Sequence, residues 1–177
     1  MYPKHLHCPD EIEKLPEIHS PYGDDFVEQL KPFWRDIEKA TFLGGEPFLI
    51  KLYFKIWDEI IQNNPEINIL VVSNGTVLND KIKDLLAKGK FYFALSIDSF
   101  QKETYEKIRR NAVFEKTMSN FEYFYQYSKD NNRWITVNIC PMQQNWKEIP
   151  DMVNVLNERR INAFFNMVDY PSSHSLR

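Results

Sequence analysis

Residues 67–73, Ile-Asn-Ile-Leu-Val-Val-Ser, form an almost unbroken apolar, β-branched run that stops at Asn74-Gly75. A strand that alternates apolar and polar residues exposes one face to water. A continuous run suits a strand of a parallel sheet, which is covered on both faces. Bounded by turn residues and short, it reads as a strand rather than a buried helix.

The same scheme recurs along the chain. Strands are expected at 40–43, 67–73, 91–97, 134–140 and 162–168, with helical patterns between them. The first helix is expected from Asp24 or Asp25 to about Lys39, burying Phe26, Leu30, Phe33, Trp34 and Ile37, with Pro32 kinking or dividing it. The next starts near Phe48, buries the stripe Leu49, Leu52, Ile56 and Ile60, and stops at Asn63-Asn64-Pro65. Asn79 caps a third helix and Gly89 ends it. Helices follow at 101–108 and 114–129. Asn145-x-x-Glu148 has the spacing of a capping box. Strand and helix in alternation imply right-handed βαβ units and a parallel sheet. The first helix has no strand before it, so the pattern begins one unit late. Residues 1–23 read as an irregular segment, 24–170 as the core and 171–177 as a tail.

Composition narrows the function. The chain has 177 residues, of which 43% are hydrophobic, enough for one domain with a real core. A net charge of −3 and a pI of about 5.8 argue against a basic nucleic-acid face, and Lys107 to Arg110 is the densest basic spot. No apolar run is long enough to span a membrane and no leader pattern is present, so a cytoplasmic protein is expected. Cys8 and Cys140 form no Cys-x-x-Cys pair, which argues against a disulfide scaffold or a self-contained cysteine metal site. His5, His7 and Cys8 are zinc-compatible types in a proline-punctuated terminus, and no metal ligands are assigned there.

In parallel sheets ligands sit at the carboxyl ends of the strands. Those ends here carry Gly44, Gly45 and Glu46, then Ser73, Asn74 and Gly75, then Ser96 and Asp98, then Asn138, then Asn166. Hydroxyl, amide and carboxylate groups of this kind suit a ligand with ribose hydroxyls and an ammonium–carboxylate pair. Gly44 and Gly45 admit close backbone approach. Glu46 is placed to offset an ammonium, and Arg109 to clamp a carboxylate. Singly, each has a plainer role as turn, cap, first-turn acid or solvated cation.

Taken together, these segments resemble the radical S-adenosylmethionine (radical SAM) family, in its SPASM/twitch-type branch. Gly44-Gly45-Glu46-Pro47 matches the GGEP motif. Ser73-Asn74-Gly75, Ser96-Ile97-Asp98-Ser99, the helix Glu103 to Arg109, Val137-Asn138, Asn145-Trp146 and Phe165-Asn166 resemble later segments in the family's order. The resemblance implies an α/β fold, a partial (β/α)6 TIM-like barrel lacking its first strand. It implies an S-adenosylmethionine site built from Gly44, Gly45, Glu46, Ser73, Asn74, Ser96, Asp98, Arg109 and Asn138. It also implies a [4Fe-4S] cluster that cleaves the cofactor to a 5′-deoxyadenosyl radical. The family's Cys-x3-Cys-x-x-Cys motif does not occur in these residues, and a cluster takes about four ligands. The expectation is therefore a truncated, inactive core with the cluster only in a full-length parent, and no catalytic or metal residue is assigned. The alternatives are a non-catalytic degenerate barrel that binds a ligand or protein, and a hydrolase or aldolase using Glu46 and Asp98. The missing strand further predicts a homodimer that covers the open sheet edge.

Overall fold

The structure is a computed structural model, and it describes residues 22–167. Five parallel strands lie in sequence order, β1 (Lys39–Phe42), β2 (Asn68–Ser73), β3 (Lys90–Ser96), β4 (Ile135–Ile139) and β5 (Asn162–Phe165). Among the described residues six α-helices join the scheme: α1 (Asp24–Leu30), α2 (Lys51–Asn63), α3 (Asp80–Leu86), α4 (Lys102–Ile108), α5 (Phe114–Asp130) and α6 (Ile149–Glu158). The register runs Thr41 to Leu70, Leu70 to Tyr92, Ala94 to Thr136 and Asn138 to Phe164. All five strands therefore end at one rim, as the alternating pattern predicts.

Side chains alternate across the sheet. Ile69, Val71, Phe91, Phe93, Leu95, Val137 and Ile139 are buried in the main core, on the face that α5 covers, where the Phe93 and Phe124 rings sit 4.6 Å apart. The core's aromatic knot is Trp57 of α2, fully buried, with the rings of Phe42, Phe54 and Phe91 edge-on at 5.3, 5.1 and 5.9 Å. Leu70, Ala94, Thr136, Asn138 and Phe164 lie on the opposite face and line a recess of about 490 Å³. Among the described residues, no helix is long and apolar enough to cross a membrane.

Local differences from the expected elements have physical causes. The first helix stops at Leu30, and Pro32 lies in a separate 3-10 turn, Lys31–Phe33. Proline divides the segment and its second half does not resume as α-helix. Another 3-10 turn, Pro47–Leu49, precedes α2 and turns Leu49 outward, 68% exposed, so the buried stripe is Phe54, Ile56, Trp57 and Ile60. Asn79 caps α3 as expected, accepting from the Ile82 N–H at 3.0 Å. Gly89 does not end that helix in a left-handed conformation, since positive φ among glycines occurs only at Gly44, Gly45 and Gly75 in the described residues. Gly89 is needed for closeness, because a Cβ there would lie 2.7 Å from the Phe91 ring. Strand β5 ends at Phe165, short of the expected 168. His5, His7, Cys8, Val168 and the terminal segments before 22 and after 167 lie outside the described residues.

Candidate functional site

The first cluster joins the ends of β1 and β2. Gly44 and Gly45 take φ of 101° and 56°, which only glycine adopts without strain, and turn the chain back towards the sheet. The turn buries Glu46, whose carboxylate accepts from the Phe48 N–H at 3.2 Å, the Asn74 N–H at 2.9 Å and the Ser73 hydroxyl at 3.0 Å. These donors fill most of a carboxylate's roughly four lone-pair sites and leave room for one more proton. Asn74 closes its own turn by accepting from the N–H and hydroxyl of Thr76 at 2.9 and 2.6 Å. Asn120 of α5 anchors that turn by donating to the Gly75 carbonyl at 2.9 Å.

The second cluster lies at the ends of β3 and β4. Asp98 is buried and meets the Arg109 guanidinium at 2.7 Å. Its other oxygen accepts from the Cys140 N–H at 2.9 Å. Arg109 is the residue that ends α4, and its buried Nε–H has no partner among the described residues. Asn74, Asp98, Arg109, Thr117, Cys140 and Met142 lie along one cleft of about 770 Å³. Burial pushes the Cys140 thiol above its ordinary value, and the Asp98 charge adds to the rise. Burial likewise raises the phenol of Tyr105, against the hydrogen bond it shares with Thr117.

Ser96 and Asn138 form a third group, paired in register across β3 and β4 on the face away from the core helices. Neither side chain has a hydrogen-bond partner among the described residues. The expected site residues thus fall into three neighbouring groups. Gly44, Gly45, Glu46 and Ser73 stand at the β1–β2 rim, Asn74, Asp98 and Arg109 line the cleft, and Ser96 and Asn138 stand on the adjoining face. Asp98 neither caps α4 nor stays unpaired, and Arg109 is not simply solvated.

Two residues carry roles that their spacing hid. Asn145 and Glu148 do not form a capping box, since α6 has no side-chain N-cap bond. Asn145 instead bonds to the backbone of the β3 and β4 exits, and Glu148 accepts from the hydroxyls of Ser99 and Thr104. Cys140 enters the cleft at the end of β4, and only the strand assignment could have pointed to it.

The radical SAM superfamily model matches residues 9–156. The chain belongs to the radical SAM superfamily. Among curated proteins it is 28% identical over 131 residues to the GTP 3',8-cyclase of Clostridium perfringens, covering 73% of this chain and 39% of that one. It is 26% identical over 130 residues to the molybdenum cofactor biosynthesis protein moc-5 of Caenorhabditis elegans, covering 73% and 21%. Its fold is similar to that of native anSMEcpe with bound AdoMet, at a TM-score of 0.67 and 19% identity, covering 88% of this chain and 47% of that one. It is also similar to Streptococcus suis SuiB bound to S-adenosylmethionine, at a TM-score of 0.64 and 13% identity, covering 85% and 36%. The chain spans less than half the length of each of these proteins. The sheet is accordingly a radical SAM core of partial-barrel type, and its rim is where the polar residues gather.

Proposed function

We propose that this chain is the S-adenosylmethionine (AdoMet) binding core of a radical SAM enzyme, of the SPASM/twitch-type branch. The observation that carries the reading is the convergence of Asn74, Asp98 and Arg109, from the β2–α3, β3–α4 and α4–α5 connections, on one cleft at the strand-exit rim. The donors present fit AdoMet. The orphaned Nε–H of Arg109 is a ready partner for its carboxylate. The Gly44-Gly45 backbone, with the remaining acceptor site of Glu46, suits its ammonium. The unengaged side chains of Ser96 and Asn138, with Asn74 and Asp98, suit ribose hydroxyls. Ser73 acts through Glu46, which it holds in place.

The thiolates do not fit a [4Fe-4S] cluster. The 177 residues contain two cysteines. Among the described residues no group of three or more His, Cys, Asp or Glu is placed to hold a metal. For these residues alone the reading is therefore binding and not radical generation. The reading also includes a cytoplasmic location. It includes a homodimer across the outer edge of β1, which pairs only with β2 among the described residues. A monomer by light scattering at high concentration would remove the dimer.

Titration of AdoMet with the purified chain, followed by calorimetry and thermal melting, tests the proposal. Ligand at roughly 100 times its dissociation constant adds about 2.7 kcal/mol, a rise of about 5–10 °C in melting temperature for a chain of this size. Arg109→Ala should lose most of that rise. Neither heat nor thermal shift from the wild type at saturating AdoMet would end the reading.

A further inference from the structure

Asn145 is fully buried and lies in the connection between β4 and α6. Its Nδ2 donates to the Asp98 carbonyl at 2.7 Å and to the Cys140 carbonyl at 3.0 Å. Its Oδ1 accepts from the Met142 N–H at 2.8 Å. Two carbonyls need donors and one N–H needs an acceptor, so a single orientation of the amide serves all three. Asp98, Cys140 and Met142 are all residues of the cleft wall. An amide that merely filled the core would have no reason to spend every bond on that wall.

Glu148 extends the arrangement. One oxygen accepts from Ser99, next to Asp98, and the other from Thr104 in α4. Arg109 ends that same helix. From one connection, then, two side chains hold both members of the Asp98–Arg109 pair. Asp98 is held through its own carbonyl, and Arg109 through the helix that carries it. The Cys140 N–H bond to the Asp98 carboxylate closes the circuit.

We propose that Asn145, assisted by Glu148, is a positioning residue of the cleft. It sets the spacing between the β3 and β4 exits and so aims the Asp98 carboxylate and the Arg109 guanidinium at the ligand. The ligand half of this inference rests on the AdoMet reading, while the geometric half does not.

The test uses the full chain with Cys8→Ser, so that Cys140 is the sole thiol. Two quantities are read well below the melting temperature, the AdoMet dissociation constant and the pH midpoint of Cys140 alkylation by iodoacetamide. Asn145→Ala should weaken AdoMet binding about tenfold, a factor calorimetry resolves easily. It should also lower the alkylation midpoint towards that of a free thiol, because burial is the main cause of its rise. A variant that folds and binds AdoMet as tightly as the parent overturns the proposal. If the parent itself does not bind AdoMet, the functional reading fails, and the midpoint alone decides. An unchanged midpoint then overturns the positioning role and a lowered one supports it. Should Asn145→Ala fail to fold, the half-buried Glu148→Gln is read in the same two ways, with smaller shifts of the same sign expected and no shift counting against the proposal.

Discussion

Glu46→Gln separates a carboxylate that braces the rim from one held in reserve for a ligand. In the structure three donors converge on it, from Phe48, Ser73 and Asn74, and the residue is 8% exposed. Glutamine replaces one acceptor oxygen by an NH2 group, which must then face a donor. The amide will turn so that the NH2 faces the Phe48 N–H, whose bond is the longest at 3.2 Å, and keep its oxygen on Asn74 at 2.9 Å. One buried N–H then goes unsatisfied, costing about 2 kcal/mol, and the surviving bonds drop from charge-assisted to neutral strength, costing about 1 kcal/mol more. The sum, about 3 kcal/mol, lowers the melting temperature by about 6–12 °C in a chain of this size. Thermal unfolding followed by far-UV circular dichroism at neutral pH measures it. Ser73→Ala on its own should cost about 1 kcal/mol, and the double variant should show a coupling of similar size. A Glu46→Gln protein that melts within about 2 °C of the parent would refute the bracing argument, because no burial of an unpaired N–H is compatible with so small a change.

Three further outcomes follow from single residues. The Cys140 thiol has its pKa raised by burial and then by Asp98, so the stability it contributes is complete below the ordinary thiol value and is lost as pH rises through the raised one. Alkylation of Cys140 in a Cys8→Ser background should accordingly have a midpoint above that of a model thiol, and Asp98→Asn should bring it down. Gly45→Ala should cost roughly 1–2 kcal/mol in urea unfolding from its left-handed backbone alone, since no atom lies within 4 Å of the added Cβ. Gly89→Ala should cost about 2 kcal/mol by a different route, overpacking, because its Cβ meets the Phe91 ring at 2.7 Å and Ile61 at 3.0 Å. Equal unfolding curves for the Gly89 variant and the parent would contradict that packing.

The parallel sheet was readable because burial on both faces leaves an undiluted apolar signature, as in residues 67–73, and because Asn-Gly and Asn caps are local chemistry. Gly44 and Gly45 were readable for the same reason, as backbone geometry forces glycine there. What escaped was tertiary in origin. Leu49 follows the helical stripe in sequence, but a 3-10 turn ahead of α2 rotates it off the buried face. Gly89 sits where a helix-ending glycine belongs, yet its cause is the Phe91 ring two residues on. Asn145 and Glu148 have capping-box spacing, and only the fold reveals that their partners are Asp98, Cys140, Ser99 and Thr104. The Asp98–Arg109 pair joins a strand exit to a helix end, a closeness that no periodicity encodes.

The sheet is unequally held, and this shapes how the molecule breathes. Strands β2 and β3 are partnered over the whole length of β2, from Asn68 to Ser73, whereas among the described residues β1 and β5 are four-residue edges bound on one side. Slowly exchanging amide protons should therefore concentrate in β2 and β3, and opening should spread inward from the flanks. Gly44 and Gly45 leave with the β1 flank, while Asp98 and Arg109 stay with the centre. A ligand that bridges the two groups would slow exchange most at β1, far from the most rigid part of the sheet, and in doing so would fasten the element that the fold itself holds least.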